Sequence, residues 1–299
     1  MSSSDENKPK IKHIVCSGGG HNGFTYYGIL RELNKRGFWQ IDDIETVYAT
    51  SIGTFFAIFL ALKYEWDVLD DYLIKRPWNL VYKIDMYSII NSFNKGGIFD
   101  IKVIEETFLP IFNAKDVSID ITMKEFFELT QIDLHFFTTE MSSFSTIDIS
   151  HKTHPDWKLL EAVYSSAALP ILFSPLFKDD KCYYDGGILA NYPIEYCISS
   201  GVPKDEIFGI IKYENKMSDA TVITPNKTLV DYIMLIFSKT VEKLSNTKSL
   251  KNKIKNEILV NCASTSLESI YNCTTNIEER INLIQFGVDL VSKFYESNL

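Results

Sequence analysis

Ser51 is the residue whose setting most suggests chemistry. It lies in the stretch ATSIG, Ala49–Gly53, which departs at one position from the G-x-S-x-G turn that lifts a nucleophilic serine above a parallel strand. A serine ahead of an apolar helix is also an ordinary N-cap, because its hydroxyl can take an unpaired N–H of the first turn. Upstream, Gly18, Gly20 and Gly23 of GGGHNG have the G-x-G-x-x-G spacing of a dinucleotide loop. A dinucleotide fold needs an acidic ribose ligand at the end of its second strand, about 20 residues on. Asp42 and Asp43 fall near that distance but precede the second candidate strand, which ends at Thr50. The other use of the glycines is to leave main-chain N–H groups uncovered at a helix N-terminus, where they can hold an oxyanion.

A third stretch, SSAALPILFSPLFKDDKCYYDGGILANYPIEY, Ser165–Tyr196, sets Asp185 before two glycines at the end of a short candidate strand. Taken with SGGGHNG and ATSIG, in that order, it resembles the patatin-like phospholipase family. The family pattern is a G-G-G-x-[KR]-G loop, a G-x-S-x-G elbow and a later D-G-[GA] motif. Weaker similarity covers GGIFDIKVIEETFLPIF, HFFTTEM and, near the end, IEERINLIQFGVDL, so the likeness runs from about residue 11 to 213 and resumes after 276. The resemblance implies Ser51 as nucleophile, Asp185 as its partner and the main chain of Gly18, Gly19 and Gly20 as oxyanion hole. Gly23, Gly53, Gly186 and Gly187 support the three motifs. The implied reaction is hydrolysis of fatty-acyl esters of phospholipids or other acyl lipids through an acyl-enzyme, with no cofactor and no metal. Two positions depart from the pattern. Ala49 adds a methyl group at the first elbow glycine, and Asn22 replaces the usual Lys or Arg of the loop, removing a charge but no main-chain donor.

A Ser-Asp-His hydrolase of the ordinary order needs its histidine after its acid, and all five histidines, at 13, 21, 135, 151 and 154, precede Asp185. A triad ending at His151 or His154 stays open. Those two lie in ISHKTHPDW, a polar stretch that reads as a surface loop, where paired histidines are more often solvated than metal-binding. His21, inside the glycine loop, reads as a wall residue. Without histidine the base is an aspartate, weak at its ordinary pKa of about 3.9 and strengthened in a desolvated pocket. Leu169, Ile171, Phe173, Tyr184 and Ile188 are candidate apolar neighbours. The two departures keep open a second class of function, a non-catalytic lipid- or protein-binding protein of the same fold.

The elements that must position these residues alternate. IKHIVCS, the glycine loop and FTYYGILRELNKRGF read as strand, loop and helix; IETVYAT then leads into SIGTFFAIFLALKY, apolar nearly all round and so a buried helix. Residues 65–130 read mainly as helices, WDVLDDYLIKR stopped by Pro77, then IFDIKVIEETFL and MKEFFELT, with no strong strand. Strands return in DLHFFTTEM and FSTIDIS, followed by the helix KLLEAVYSSAAL and the strands KCYYDGG, EIFGIIKY and EILVNC. This order predicts an α/β fold, a three-layer α/β/α sandwich with a mostly parallel central sheet.

The chain of 299 residues is 45% hydrophobic and 13% aromatic, enough for a large core. One patatin-like phospholipase domain is expected over residues 11–299, after a disordered polar tail over residues 1–10. A net charge of −9 and a pI near 5.1 argue against a nucleic-acid surface, which needs a basic face. Five cysteines without paired spacing suit a reducing, cytoplasmic setting. The longest apolar run, FFAIFLAL, is far below the roughly 18 residues of a membrane span. Peripheral membrane contact is expected of Thr228–Ile258, where Lys239, Lys243, Lys248, Lys251, Lys253 and Lys255 follow an apolar stretch, because lysines near the surface attract anionic headgroups.

Overall fold

A computed structural model of the protein describes residues 10–213, 254–262 and 266–298, with a few helical positions between 232 and 243. The polar tail, apart from Lys10, lies outside the described residues, as does most of the lysine-rich stretch. Of its lysines, Lys239 and Lys243 occupy helical positions and Lys255 precedes a strand, while Lys248, Lys251 and Lys253 lie outside.

In chain order the first elements are β1 (His13–Cys16), α1 (Gly23–Lys35), β2 (Thr46–Thr50), α2 (Ile52–Ala61), α3 (Trp66–Lys75), α4 (Trp78–Val81) and α5 (Met86–Lys95). Next come β3 (Gly97–Phe99), α6 (Lys102–Asn113), α7 (Met123–Thr130), β4 (Asp133–Glu140), β5 (Ser145–Ile149), α8 (Leu159–Ala167), β6 (Ile171–Phe173) and β7 (Leu176–Lys178). The chain continues with β8 (Lys181–Asp185), α9 (Gly187–Ala190), α10 (Ile194–Ser199), β9 (Ile207–Tyr213), β10 (Glu257–Asn261), α11 (Leu267–Thr275) and α12 (Ile277–Asn298).

The main sheet has eight strands in the order β10-β9-β1-β2-β4-β8-β7, with β5 paired to β4 off that path. From β10 to β4 the strands run parallel, while β5 and β8 lie antiparallel to β4, and β7 to β8. Side chains of β1 and β2 alternate between two cores, as the pleat requires. Ile14, Cys16, Val47 and Ala49 enter the larger one, and Val15 and Tyr48 the smaller one with Phe137, Tyr192 and Ile194. The result is the three-layer sandwich, with its parallel strands buried on both faces. Residues 53 to 61 of α2 are all buried, which explains why this helix has no polar stripe.

Two expectations need correction between residues 97 and 113. The start of IFDIKVIEETFL is not helical: Gly97–Phe99 is β3, paired in parallel with β6 in a separate two-stranded sheet. Three residues are too few to display an alternation. Helix α6 then runs through Pro110, which should orphan the carbonyl four residues earlier. Arg76 supplies the missing donor, its Nη2 reaching the Glu106 oxygen at 2.7 Å.

The closing helix α12 lies against α1 through two glycines. A Cβ on Gly28 would stand 2.2 Å from the Ile284 oxygen, and one on Gly287 would stand 2.2 Å from the Thr25 oxygen. Main chain therefore touches main chain, and α1 is held where the glycine loop begins.

Candidate active site

Ser51 follows the last residue of β2 and precedes the first of α2. Its backbone is at φ 54°, ψ −125°, a conformation that costs a non-glycine residue about 1–3 kcal/mol and persists where its surroundings enforce it. Its N–H donates to Ser166 Oγ at 2.9 Å, and that hydroxyl donates to the Phe137 carbonyl at 2.6 Å. The Ser51 side chain makes no capping bond to α2, so the hydroxyl is not spent as an N-cap. Ala49 is fully buried, its methyl accommodated in the larger core. Gly53 has no such room, since a Cβ there would stand 2.8 Å from the Cys16 carbonyl oxygen.

Asp185 ends β8, opposite Thr138 of β4. The small-residue end of α8 holds its main chain: Asp185 N–H donates to Ala168 O at 3.0 Å and Gly186 N–H to Ser166 O at 3.2 Å. Its carboxylate accepts the Gly187 N–H at 2.6 Å and lies near enough to the Ser51 side chain for that hydroxyl to favour its charged form. Asp185 is only 4% exposed. Burial pushes its pKa up to about 6, against the opposing pull of the Gly187 N–H and the nearby Ser51 hydroxyl. The carboxylate is thereby a stronger base than in water and is still ionised at neutral pH.

The glycine loop meets this pair from β1, the strand beside β2. A Cβ on Gly18 would lie 3.2 Å from Ser51 Cβ, which places the loop against the serine. The expectation for Gly18 is corrected, because its N–H donates to the Asn191 carbonyl at 3.0 Å and is not available to an oxyanion. Among the described residues, the N–H groups of Gly19 and Gly20 meet no acceptor. The loop's carbonyls are tied down by Tyr26 Oη on Gly18 O at 3.2 Å and by Asn22 Nδ2 on Gly19 O at 3.0 Å.

From Ser51 a cavity of about 1050 Å³, counting its open mouth, extends between the helices. Phe24, Phe55, Phe59, Trp78, Tyr82 and Leu172 are among its walls. Leu169 and Phe173, two of the apolar residues expected around Asp185, line this cavity.

The three motifs thus converge around Ser51, and the match of the patatin-like phospholipase model to residues 14–198 covers all of them. The chain belongs to that family. It is 29% identical over 192 residues to the "Probable lipid hydrolase 463L" of Invertebrate iridescent virus 6, over 64% of this chain and 65% of that protein. The chain therefore spans just under two-thirds of that relative. Over 289 residues it is 25% identical to an uncharacterized protein of Acanthamoeba polyphaga mimivirus, covering 96% of this chain and 90% of the other. Among solved structures, VipD from Legionella pneumophila shares the fold, with a TM-score of 0.58 at 18% identity over 97% of this chain and 67% of that one.

Against the family's loop pattern, buried Asn22 is a brace, and a cation arrives from another element. Lys212 of β9 lies two residues beyond the Cys16–Ile210 pair, and its N–H donates to Ser17 Oγ at 2.9 Å. Nothing in the sequence flags it, because a lysine ending a strand carries no motif and β9 is not marked as a neighbour of β1. His21 lines the cavity; burial, with help from the charge of Lys212, pushes its imidazole down to about 4, so it is neutral at pH 7.

The other histidines do not join Ser51. His151 packs flat on Phe127 at 3.7 Å and pairs with Asp133 at 2.9 Å. Asp133 opens β4 beside Thr46, at the opposite end of the sheet from the elbow. His154 packs edge-on to Trp157, so ISHKTHPDW is not the solvated loop its polarity suggested. Asp42 and Asp43, the candidate ribose ligands, lie in a turn before β2 and pair with Lys63 and Lys10. Among the described residues no cluster of His, Cys, Asp or Glu could hold a metal ion.

Proposed function

We propose that the protein hydrolyses fatty-acyl esters of phospholipids or related acyl lipids with Ser51 and Asp185 as a dyad. As Ser51 Oγ attacks the ester carbonyl, its proton passes to the Asp185 carboxylate, so no free alkoxide forms. The N–H groups of Gly19 and Gly20 stabilise the developing oxyanion; Gly18, its own N–H engaged, fixes the loop against Ser51. Collapse of the tetrahedral intermediate returns the proton to the departing alcohol, a lysophospholipid or a glycerol ester, and leaves the acyl group on Ser51. Water then attacks the acyl-enzyme, giving a proton to Asp185 and releasing the fatty acid as Ser51 is restored. The acyl chain occupies the apolar cavity, which keeps bulk water from the carboxylate.

The observation that carries this reading is a Ser51 side chain that makes no cap to α2, opens on an apolar cavity and lies near the buried carboxylate of Asp185. A capping serine would turn its hydroxyl to α2 instead. Incubation of the purified protein with separate phospholipid and neutral-lipid classes, with products identified by mass, tests it. Fatty acid and its matching lyso- or deacylated lipid are expected, and both disappear in Ser51→Ala. Lipid binding without product would return the non-catalytic reading.

A further inference from the structure

Helix α5 is built the wrong way round for a core element. It has no buried residue, and its large apolar side chains Met86, Tyr87, Ile90 and Phe93 all point to solvent, Phe93 84% exposed. At 100° per residue these four fall within an arc of about 120°, so they form one stripe. The hydroxyls of Ser88 and Ser92 turn back onto the Asp85 and Ile89 carbonyls. The helix nevertheless has complete ends, an Asp85–Ser88 capping box and a left-handed Gly96, so it is a formed helix whose apolar face has no partner among the described residues.

Its flanks identify what the face serves. Trp78 and Tyr82 before it and Phe99 after it line the acyl cavity, and the Tyr82 and Phe99 rings meet edge-on at 5.6 Å. Leu80, on the same connection, is 70% exposed. Helix α11 lines the cavity through Ile270 while exposing Tyr271. The exposed stripe is thus continuous with the cavity wall. Charge agrees: between Pro77 and Gly97 there is one carboxylate, Asp85, in a chain with 39 acidic residues; it pairs with Lys83 at 3.1 Å, and Lys95 follows at the far end of the stripe.

We infer that the α4–α5 segment is an interfacial anchor that lays Met86, Tyr87, Ile90 and Phe93 into the surface of a phospholipid bilayer and brings the cavity mouth to its substrate. An amphipathic helix with aromatic and aliphatic residues on one face and flanking lysines suits the headgroup boundary. The inference rests on the proposed lipid hydrolysis for its purpose but not for its test.

Vesicles of phosphatidylcholine with phosphatidylglycerol are the probe, and Ser51→Ala is the parent for binding, so that the vesicles stay intact. Adding Met86→Ser, Ile90→Ser and Phe93→Ser should weaken co-sedimentation at least about tenfold, since three side chains lose their insertion. With Ser51 present, the same triple variant should hydrolyse a monomeric short-chain ester as the native protein does. A second readout is Phe93→Trp, whose added emission should be quenched by brominated phospholipid. Undiminished sedimentation of the triple variant, or no added quenching, overturns the inference. So does a native dimer that the triple variant disrupts without vesicle binding, since a second copy then covers the stripe. Stripe-dependent vesicle binding with no ester or lipid turnover leaves the anchor standing and removes the hydrolase reading.

Discussion

Asp185 must be ionised within an apolar wall, and a pKa near 6 sets a measurable boundary. If it is the base, kcat/KM for a soluble ester should climb about tenfold per pH unit below that value and level off above it. A flat profile through pH 6 would contradict the assignment. The same shift affects stability. The folded pKa exceeds the unfolded value of 3.8, so the stability Asp185 contributes when protonated is present below about pH 4 and lost as pH rises through about 6. Asp185→Asn should therefore raise stability at pH 7 by on the order of 1–3 kcal/mol, read as a higher midpoint of thermal unfolding, while lowering turnover. Ala49→Gly should change turnover less than about tenfold, or 1.4 kcal/mol of barrier, because the methyl faces the core; a larger gain would mean the elbow is impaired. Ser51 and Asp185 were legible because their motifs encode a turn and a strand end. The spent N–H of Gly18, the brace of Ser166 and the cation of Lys212 were not. Each depends on a partner more than 100 residues away in the chain, and nothing local records such a meeting.

At the scale of elements, the contact of α1 with α12 is the one a single atom can break. Gly28→Ala puts a Cβ 2.2 Å from the Ile284 oxygen, so the helices must part, at a cost of roughly 1–3 kcal/mol. Denaturant unfolding should show the loss in its midpoint, and unchanged stability would contradict the packing described. Which two helices meet through Gly28 and Gly287 is a tertiary fact that neither glycine records locally. The long apolar helix α2 and the buried strands were readable from periodicity. The short strands β3 and β6 were not, and neither was the survival of α6 beyond Pro110, which depends on Arg76 from a different element.

For the whole molecule, alternating strands and helices foretold the three layers, and the pairing of β1 with β2 followed from a glycine loop and an elbow needing to meet. The antiparallel edge formed by β8 and β7 was hidden, because β8 ends in the DGG motif and looks alike in either direction. That edge brings Asp185 back along β4 toward the serine that follows β2, and so brings the two residues of the proposed dyad together from distant parts of the chain. The central claim is that Ser51 is an activated nucleophile made so by Asp185. Labelling with a fluorophosphonate, which needs both an activated hydroxyl and a hole for its phosphoryl oxygen, tests it most directly. Peptide mapping should place the label on Ser51; Ser51→Ala should abolish it, and Asp185→Asn should slow it roughly 10³-fold, with ester turnover falling alike. Label on another serine, or undiminished labelling of Asp185→Asn, would contradict the account.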